Sequence, residues 1–222
     1  AEARKRAESF KMAAAIYMTC MGVEGDLRDL GLTNTNYWQF DGYDMEDYYR
    51  QIRSGGAPEP RCAYITSGSL KDPDCPHHAP PGHQTLEIMT ILSGRPEDWG
   101  LQGVDLDKWG YKKNELYASH KGRIEESLIN RAETLFPGLK DRIVFKESAT
   151  PMTHARYTWA TQGTGYGIAA TPDQMFKGRP GYRGPLPGLY FCGASTRAGH
   201  GIIGAMQSGH IAAKKVLSDL RS

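Results

Sequence analysis

The closing stretch of the chain constrains its fold more than any other. It reads Pro185-Leu186-Pro187-Gly188-Leu189-Tyr190-Phe191-Cys192-Gly193-Ala194-Ser195, then Thr196-Arg197-Ala198-Gly199-His200-Gly201-Ile202-Ile203-Gly204-Ala205-Met206. The proline pair and Gly188 make a turn, and Leu189 to Cys192 is a short apolar run sized for one buried strand. Gly193 ends that run. From Ile202 onward Ile203, Met206, Ala213, Leu217 and Leu220 recur at helical spacing and predict a helix running to the terminus. A strand feeding a glycine-rich turn and then a helix can cradle an anion or a cofactor. Glycines let the backbone approach closely, and free N–H groups at the helix start attract negative charge. The same spacing also suits a tight turn whose small residues serve packing alone.

The wording of the whole stretch goes further. It resembles the C-terminal flavin-contacting motif of FAD-dependent carotenoid desaturases and retinol saturases and, more distantly, the matching segment of flavin amine oxidases. The resemblance implies FAD as cofactor. It places Gly193, Ala194 and Ser195 beside the pyrophosphate and ribityl chain, and Gly201, Ile202, Ile203, Gly204 and Ala205 at the pyrimidine edge of the isoalloxazine. Some relatives carry an acidic residue where Ala194 stands. His200 falls beside the implied flavin edge, as a candidate for assisting proton transfer. Upstream, Thr150-Pro151, Arg156-Tyr157 and Gly165-Tyr166-Gly167 also resemble the desaturase family, which implies that Arg156, Tyr157 and Tyr166 line a channel for an elongated apolar substrate such as a polyene or isoprenoid. Desaturation, saturation and isomerisation all occur in that family. The specific motifs span roughly residues 140 to 222; earlier residues match only in strand–helix–strand layout. Amine oxidation is disfavoured, because the aromatic pair flanking the flavin in amine oxidases is not evident.

Composition narrows the alternatives. With 222 residues, 39% of them hydrophobic, the chain can bury a real core in one or two domains. A net charge of +2, from 27 basic and 25 acidic residues, gives no reason to expect nucleic acid. No apolar run is long enough to span a membrane, and the mixed-charge start does not resemble a secretory signal. Cys20, Cys62, Cys75 and Cys192 are scattered, which argues against a disulfide framework or a zinc ribbon and for a reducing compartment. The expected location is the cytoplasm, with peripheral membrane contact left open, although no amphipathic anchor is evident.

Read in order, Phe10 to Met21 suits a buried strand, and Asn36 to Phe40 a half-buried one. Met45 to Ile52 is helical up to Gly55-Gly56, and Cys62 to Thr66 and Thr85 to Leu92 are strands. Lys71 to Pro81 reads as a surface loop. Its Asp72, Asp74, Cys75, His77 and His78, with His83 nearby, fit no standard zinc spacing, so no metal is expected. Trp99 and Trp109 read as buried. A long helix spans about Lys112 to Phe136, with Leu116, Ile124, Leu128, Ala132 and Leu135 as its inward stripe. Arg142 to Glu147 is a strand. Thr150-Pro151 opens a short helix carrying His154, Arg156 and Tyr157.

The dinucleotide fingerprint GxGxxG followed by a βαβ unit is absent. Gly199 to Gly204 spells the pattern, but it opens the last helix. The expected fold is therefore α/β with α+β character. Residues 1–184 form a mixed-sheet substrate domain, and 185–222 supply the terminal strand and helix of a Rossmann-like FAD-binding domain whose N-terminal βαβ half lies outside this sequence. That half would be a required partner. The competing expectation is a non-catalytic module that binds a lipophilic ligand on its sheet without flavin.

Overall fold

The computed structural model describes residues 2–106 and 109–221, without the side chain of Trp109, so the expected burial of that residue lies outside what is described. In chain order the elements are α1 (Glu2–Ser9), β1 (Ala15–Glu24), β2 (Tyr37–Phe40), α2 (Met45–Ser54), β3 (Cys62–Thr66), α3 (Gly68–Lys71), β4 (His83–Leu92), α4 (Glu115–Leu135), β5 (Ile143–Ala149), α5 (Pro151–Thr158) and α6 (Gly201–Asp219). They form two compact units, residues 15–163 and residues 1–14 with 164–222.

The first unit is built on a five-stranded sheet of order β2-β3-β4-β1-β5. Every neighbouring pair is antiparallel, which corrects the expectation of a mixed sheet. The reason is the path of α4. It carries the chain from β4 past β1 to β5, so these two parallel strands sit on opposite sides of β1 and never pair. β1 and β4 pair along their whole length, Ala15 opposite Leu92 through Glu24 opposite His83. The strand expected from Phe10 begins only at Ala15. Lys11 and Ala13 instead donate their N–H groups to Gln174 Oε1 and the Gly167 carbonyl.

The period-two alternation of β1 puts Tyr17, Thr19, Met21 and Val23 on a covered face with Leu86, Ile88, Leu92 and Ile65. Across this face lies α4, and the Tyr17 hydroxyl donates to the Lys121 carbonyl at 2.8 Å. The buried positions of α4 are Tyr117, Ile124, Leu128, Ile129 and Ala132. Leu116 and Leu135, expected in that stripe, are 52% and 42% exposed. Leu116 lies over Gly100 at the helix start instead of entering the core. Asn114 caps α4 by accepting from the Tyr117 N–H. Thr150 and Thr153 form a reciprocal capping box on α5, with Pro151 in its first turn.

In the second unit the strand expected over Leu189 to Cys192 does not form. Those residues make a narrow ribbon, in which the Phe191 N–H donates to the Tyr182 carbonyl and the Gly184 N–H to the Leu189 carbonyl around an isolated Arg183–Tyr190 bridge. A strand exists through its ladder partners, and among the described residues this segment pairs with the short stretch Tyr182 to Gly184 and joins no sheet. The last helix forms as expected, yet its inward side is the small-residue line Gly204, Ser208 and Ala212. Ile203, Met206, Leu217 and Leu220, whose spacing predicted the helix, are exposed.

Candidate functional site

The site is the turn from Gly193 to Ala205 together with what holds it. Gly193, Gly199 and Gly201 have φ of 99°, 87° and 77°, and a side chain added at any of them would point into open space. The backbone there is left-handed, approachable from one side and unshielded. His200 is the N-cap of α6, but its side chain makes no capping hydrogen bond to the first-turn amides. Ile202 and Ile203, in that turn, are 80% and 69% exposed. An uncapped helix start preceded by open glycines is a donor-rich, positively polarised surface.

The support behind it is polar. Arg179 is fully buried, and its guanidinium donates to the carbonyls of Gln174 (2.9 Å), Ala194 (2.6 Å) and Ile168 (2.6 Å) and to His200 Nε2 (2.7 Å). Arginine has no acceptor, so His200 Nε2 must accept and the ring proton sits on Nδ1. Burial, and then the Arg179 charge, push the His200 pKa below its usual value, which keeps the ring neutral. Ser208 Oγ accepts the Gly193 N–H at 2.6 Å and itself donates to the Ala205 carbonyl. The Gly193 amide is thus already engaged, and that glycine can offer a ligand close approach but no hydrogen bond. Ser195 Oγ accepts from the Ile168 N–H, and the Tyr166 ring stands 5.5 Å from His200.

The structure therefore gathers Gly193, Ala194, Ser195, His200, Gly201 to Ala205 and Tyr166 in one unit, while Arg156 and Tyr157 sit on α5 of the other. Sequence reasoning missed Arg179. Its only signal was a cation inside the glycine- and proline-rich run Lys177-Gly178-Arg179-Pro180-Gly181, where nothing marks it as buried. It also missed the second face of the sheet. Ile16, Met18, Tyr64, Met89 and Ile91 point away from α4 and are half-buried, and Trp38 and Phe40 continue that face exposed. Apolar residues at successive positions of β1 and β4 were the available sign, since a sheet with one wet face alternates with polar residues. Among the described residues, no helix is long and apolar enough to cross a membrane.

A left-handed glycine turn leading into an uncapped helix start is the kind of surface that flavoproteins present to a cofactor. Residues 60–217 match the sequence profile described as flavin-containing amine oxidoreductase, and the chain belongs to that FAD-dependent family. Among its relatives, prolycopene isomerase of Daucus carota is 39% identical over 146 residues, 64% of this chain and 21% of the relative. All-trans-retinol 13,14-reductase of Macaca fascicularis is 27% identical over 208 residues, covering 88% of this chain and 32% of the relative. Carotenoid 3,4-desaturase of Haloarcula japonica is 28% identical over 211 residues, 94% of this chain and 38% of the relative. The chain thus spans between about a fifth and two fifths of the length of these relatives.

The turn fits the family's cofactor. A planar ring edge carrying carbonyl oxygens and partial negative charge suits an uncapped helix start, and the empty space before Gly199 and Gly201 leaves room for it.

Proposed function

We propose that this chain supplies the pyrimidine-edge cradle and the substrate sheet of a flavin-dependent oxidoreductase acting on an elongated apolar, polyene-like molecule by desaturation, saturation or isomerisation. The open first turn of α6 carries this reading. FAD supplies the redox chemistry when bound. Gly201, Ile202, Ile203, Gly204 and Ala205 present that turn, whose N–H groups stabilise negative charge at the pyrimidine edge. Gly193, Ala194 and Ser195 line the approach of the pyrophosphate and ribityl chain. Arg179 fixes Ala194 and His200 in place, and His200 offers its Nδ1 proton toward the flavin edge. Arg156 and Tyr157 in the sheet unit, and Tyr166 in the unit that holds the turn, are the proposed substrate contacts, and the apolar face around Met18 and Met89 suits a hydrocarbon. The names of the relatives, each acting on a carotenoid or retinoid, support that substrate class.

FAD is completed, in this reading, by a dinucleotide-binding half supplied from elsewhere. The test is fluorescence quenching of FAD by the purified chain, with and without such a half from a relative added in trans. Quenching that appears with the added half, and is lost in Gly201→Val, supports the proposal; no quenching under either condition overturns it. The open sheet face favours a second reading, a flavin-independent lipophilic-ligand module. It predicts stoichiometric retinoid binding with no FAD present and no change in Gly201→Val.

A further inference from the structure

The loop joining α3 to β4 holds a cluster that the flavin site does not use. One ligating atom each from Asp72, Cys75 and His78 lies within 4.8 Å of the other two. The backbone sets this up in two steps. The Asp72 N–H closes α3 by donating to the Gly68 carbonyl at 3.0 Å, and the Cys75 N–H donates to the Asp72 carbonyl at 3.3 Å. Pro73 and Pro76 stiffen the same turn. The His78 ring returns across α3 with its Nδ1 edge over Gly68, where a side chain on residue 68 would meet it 3.3 Å away. Its Nε2 then faces Asp72 Oδ2 at 3.8 Å. In a tetrahedral zinc site, with bonds of about 2.0 Å to N and O and about 2.3 Å to S, ligand atoms stand about 3.3 to 3.6 Å apart. The His78–Asp72 pair is already close to that, and the Cys75 sulfur lies within 4.8 Å of both.

We infer that Asp72, Cys75 and His78 bind a borderline divalent transition ion, zinc above all, with one coordination position left to water. The donor set is the reason: thiolate with imidazole selects zinc over magnesium or calcium, and one carboxylate completes three of four positions. The Asp-x-x-Cys-x-x-His spacing escapes the usual zinc patterns because a helix end and two prolines, and not a paired-cysteine knuckle, bring the ligands together. The ion would clip the α3–β4 connection closed. This proposal is independent of the flavin reading, and its test involves no flavin.

The experiment is equilibrium dialysis of the metal-free, tag-free full chain against Zn²⁺, with metal content per chain as readout, and absorption spectra after loading with Co²⁺. The expected result is one zinc per chain and a near-ultraviolet thiolate-to-cobalt charge-transfer band. Cys75→Ser should abolish the band and weaken zinc binding at least tenfold. Asp72→Asn and His78→Ala should each weaken it similarly with unchanged circular dichroism, and Cys192→Ser should change nothing. A readout that needs no variant is alkylation, which bound zinc should slow at Cys75 and leave unchanged at Cys192. Zinc content equal in wild type and Cys75→Ser, a cobalt band that survives that substitution, or alkylation of Cys75 indifferent to zinc would each overturn the proposal.

Discussion

The two units keep their apolar residues in opposite places. Residues 15–163 bury Tyr17, Leu86, Ile88, Trp99, Ile124 and Leu128 between sheet and α4. The other unit leaves Ile202, Ile203, Met206, Leu217 and Leu220 of α6 exposed, and it buries Gly204, Ser208, Ala212 and an arginine. One is held by apolar surface removed from water, the other by hydrogen bonds converging on backbone carbonyls. The lesson is about function as much as stability. A hydrocarbon core holds a scaffold, whereas a polar hub can fix a bare backbone turn in one conformation while its outward surface stays free for a ligand.

The sharpest way to break this contrast is a pair of truncations. Leu86→Ala removes a fully buried side chain, and about 2 to 5 kcal/mol should be lost, measured by urea unfolding followed through tryptophan fluorescence. Ile203→Ser, on exposed α6, should stay within about 0.5 kcal/mol of wild type in the same assay. Equal costs would mean that the α6 face is covered in solution, and the contrast would fail.

A polar fixture inside the sheet unit should come next in size. Asp98 receives Arg95 at 2.9 and 3.0 Å, the Gly56 N–H at 2.9 Å and the Ser93 hydroxyl at 2.5 Å. Burial raises its pKa, but these donors together hold it below the usual carboxylate range. Asp98→Asn should cost about 2 to 3 kcal/mol, since buried donors lose their charged acceptor. The contribution is fully present above the unfolded carboxylate pKa and is lost as pH falls through the lowered folded value. Wild type should therefore lose stability in acid more steeply than the variant, as read from urea midpoints across that window.

How legible this contrast was in the sequence depended on whether the signal was local. Cys62–Thr66 appeared as a strand with the predicted ends, and Thr150-Pro151 opened α5 as read, because cap chemistry and strand composition act over a few residues. Which side of α6 turns inward was not legible. Its period is that of any amphipathic helix, and only the close approach of Ala198 and Gly199 to Gly204 selects the small-residue line. Leu189 to Cys192 had a strand's composition but not its partners. Arg179 and the Asp72–Cys75–His78 cluster depend on backbone paths that no spacing rule encodes. Of the candidate site, the turn residues were readable and their support was not.

In the cofactor unit, Gly167 tests whether the glycine-rich loop and the turn are one fixture. Its φ is +70°, and a methyl group there would land on Ser195 Oγ. Gly167→Ala should cost about 1 to 3 kcal/mol through strain and displacement of Ser195. On the proposed function it should also weaken FAD quenching in the complemented assay, while Gly31→Ala, at another positive-φ glycine whose added methyl group would meet nothing, should destabilise without touching FAD. Loss of quenching in both variants would show a general stability effect and no link between the two segments.

The smallest expected effect is at the far end of α6. Asp219 accepts from Arg183 at 2.8 and 2.5 Å and from the Tyr190 hydroxyl at 2.8 Å, and these bonds lower its pKa to about 2. All of this lies at the surface, where water and salt screen an ion pair, so Asp219→Asn should barely move the global urea midpoint. Its effect should be local. The pair ties the Arg183–Tyr190 ribbon to the end of α6, so amide exchange should quicken in both segments while the Arg179 hub stays protected. The sign with pH follows from the lowered value. The tie is intact above the unfolded carboxylate pKa and is released as pH falls toward about 2, so wild-type exchange at the ribbon should approach that of the variant only in acid. If the variant also loosened the amides around Gly193 and Ala205, the turn would depend on the surface pair as well as on its buried arginine, and the division between scaffold and cradle would need redrawing.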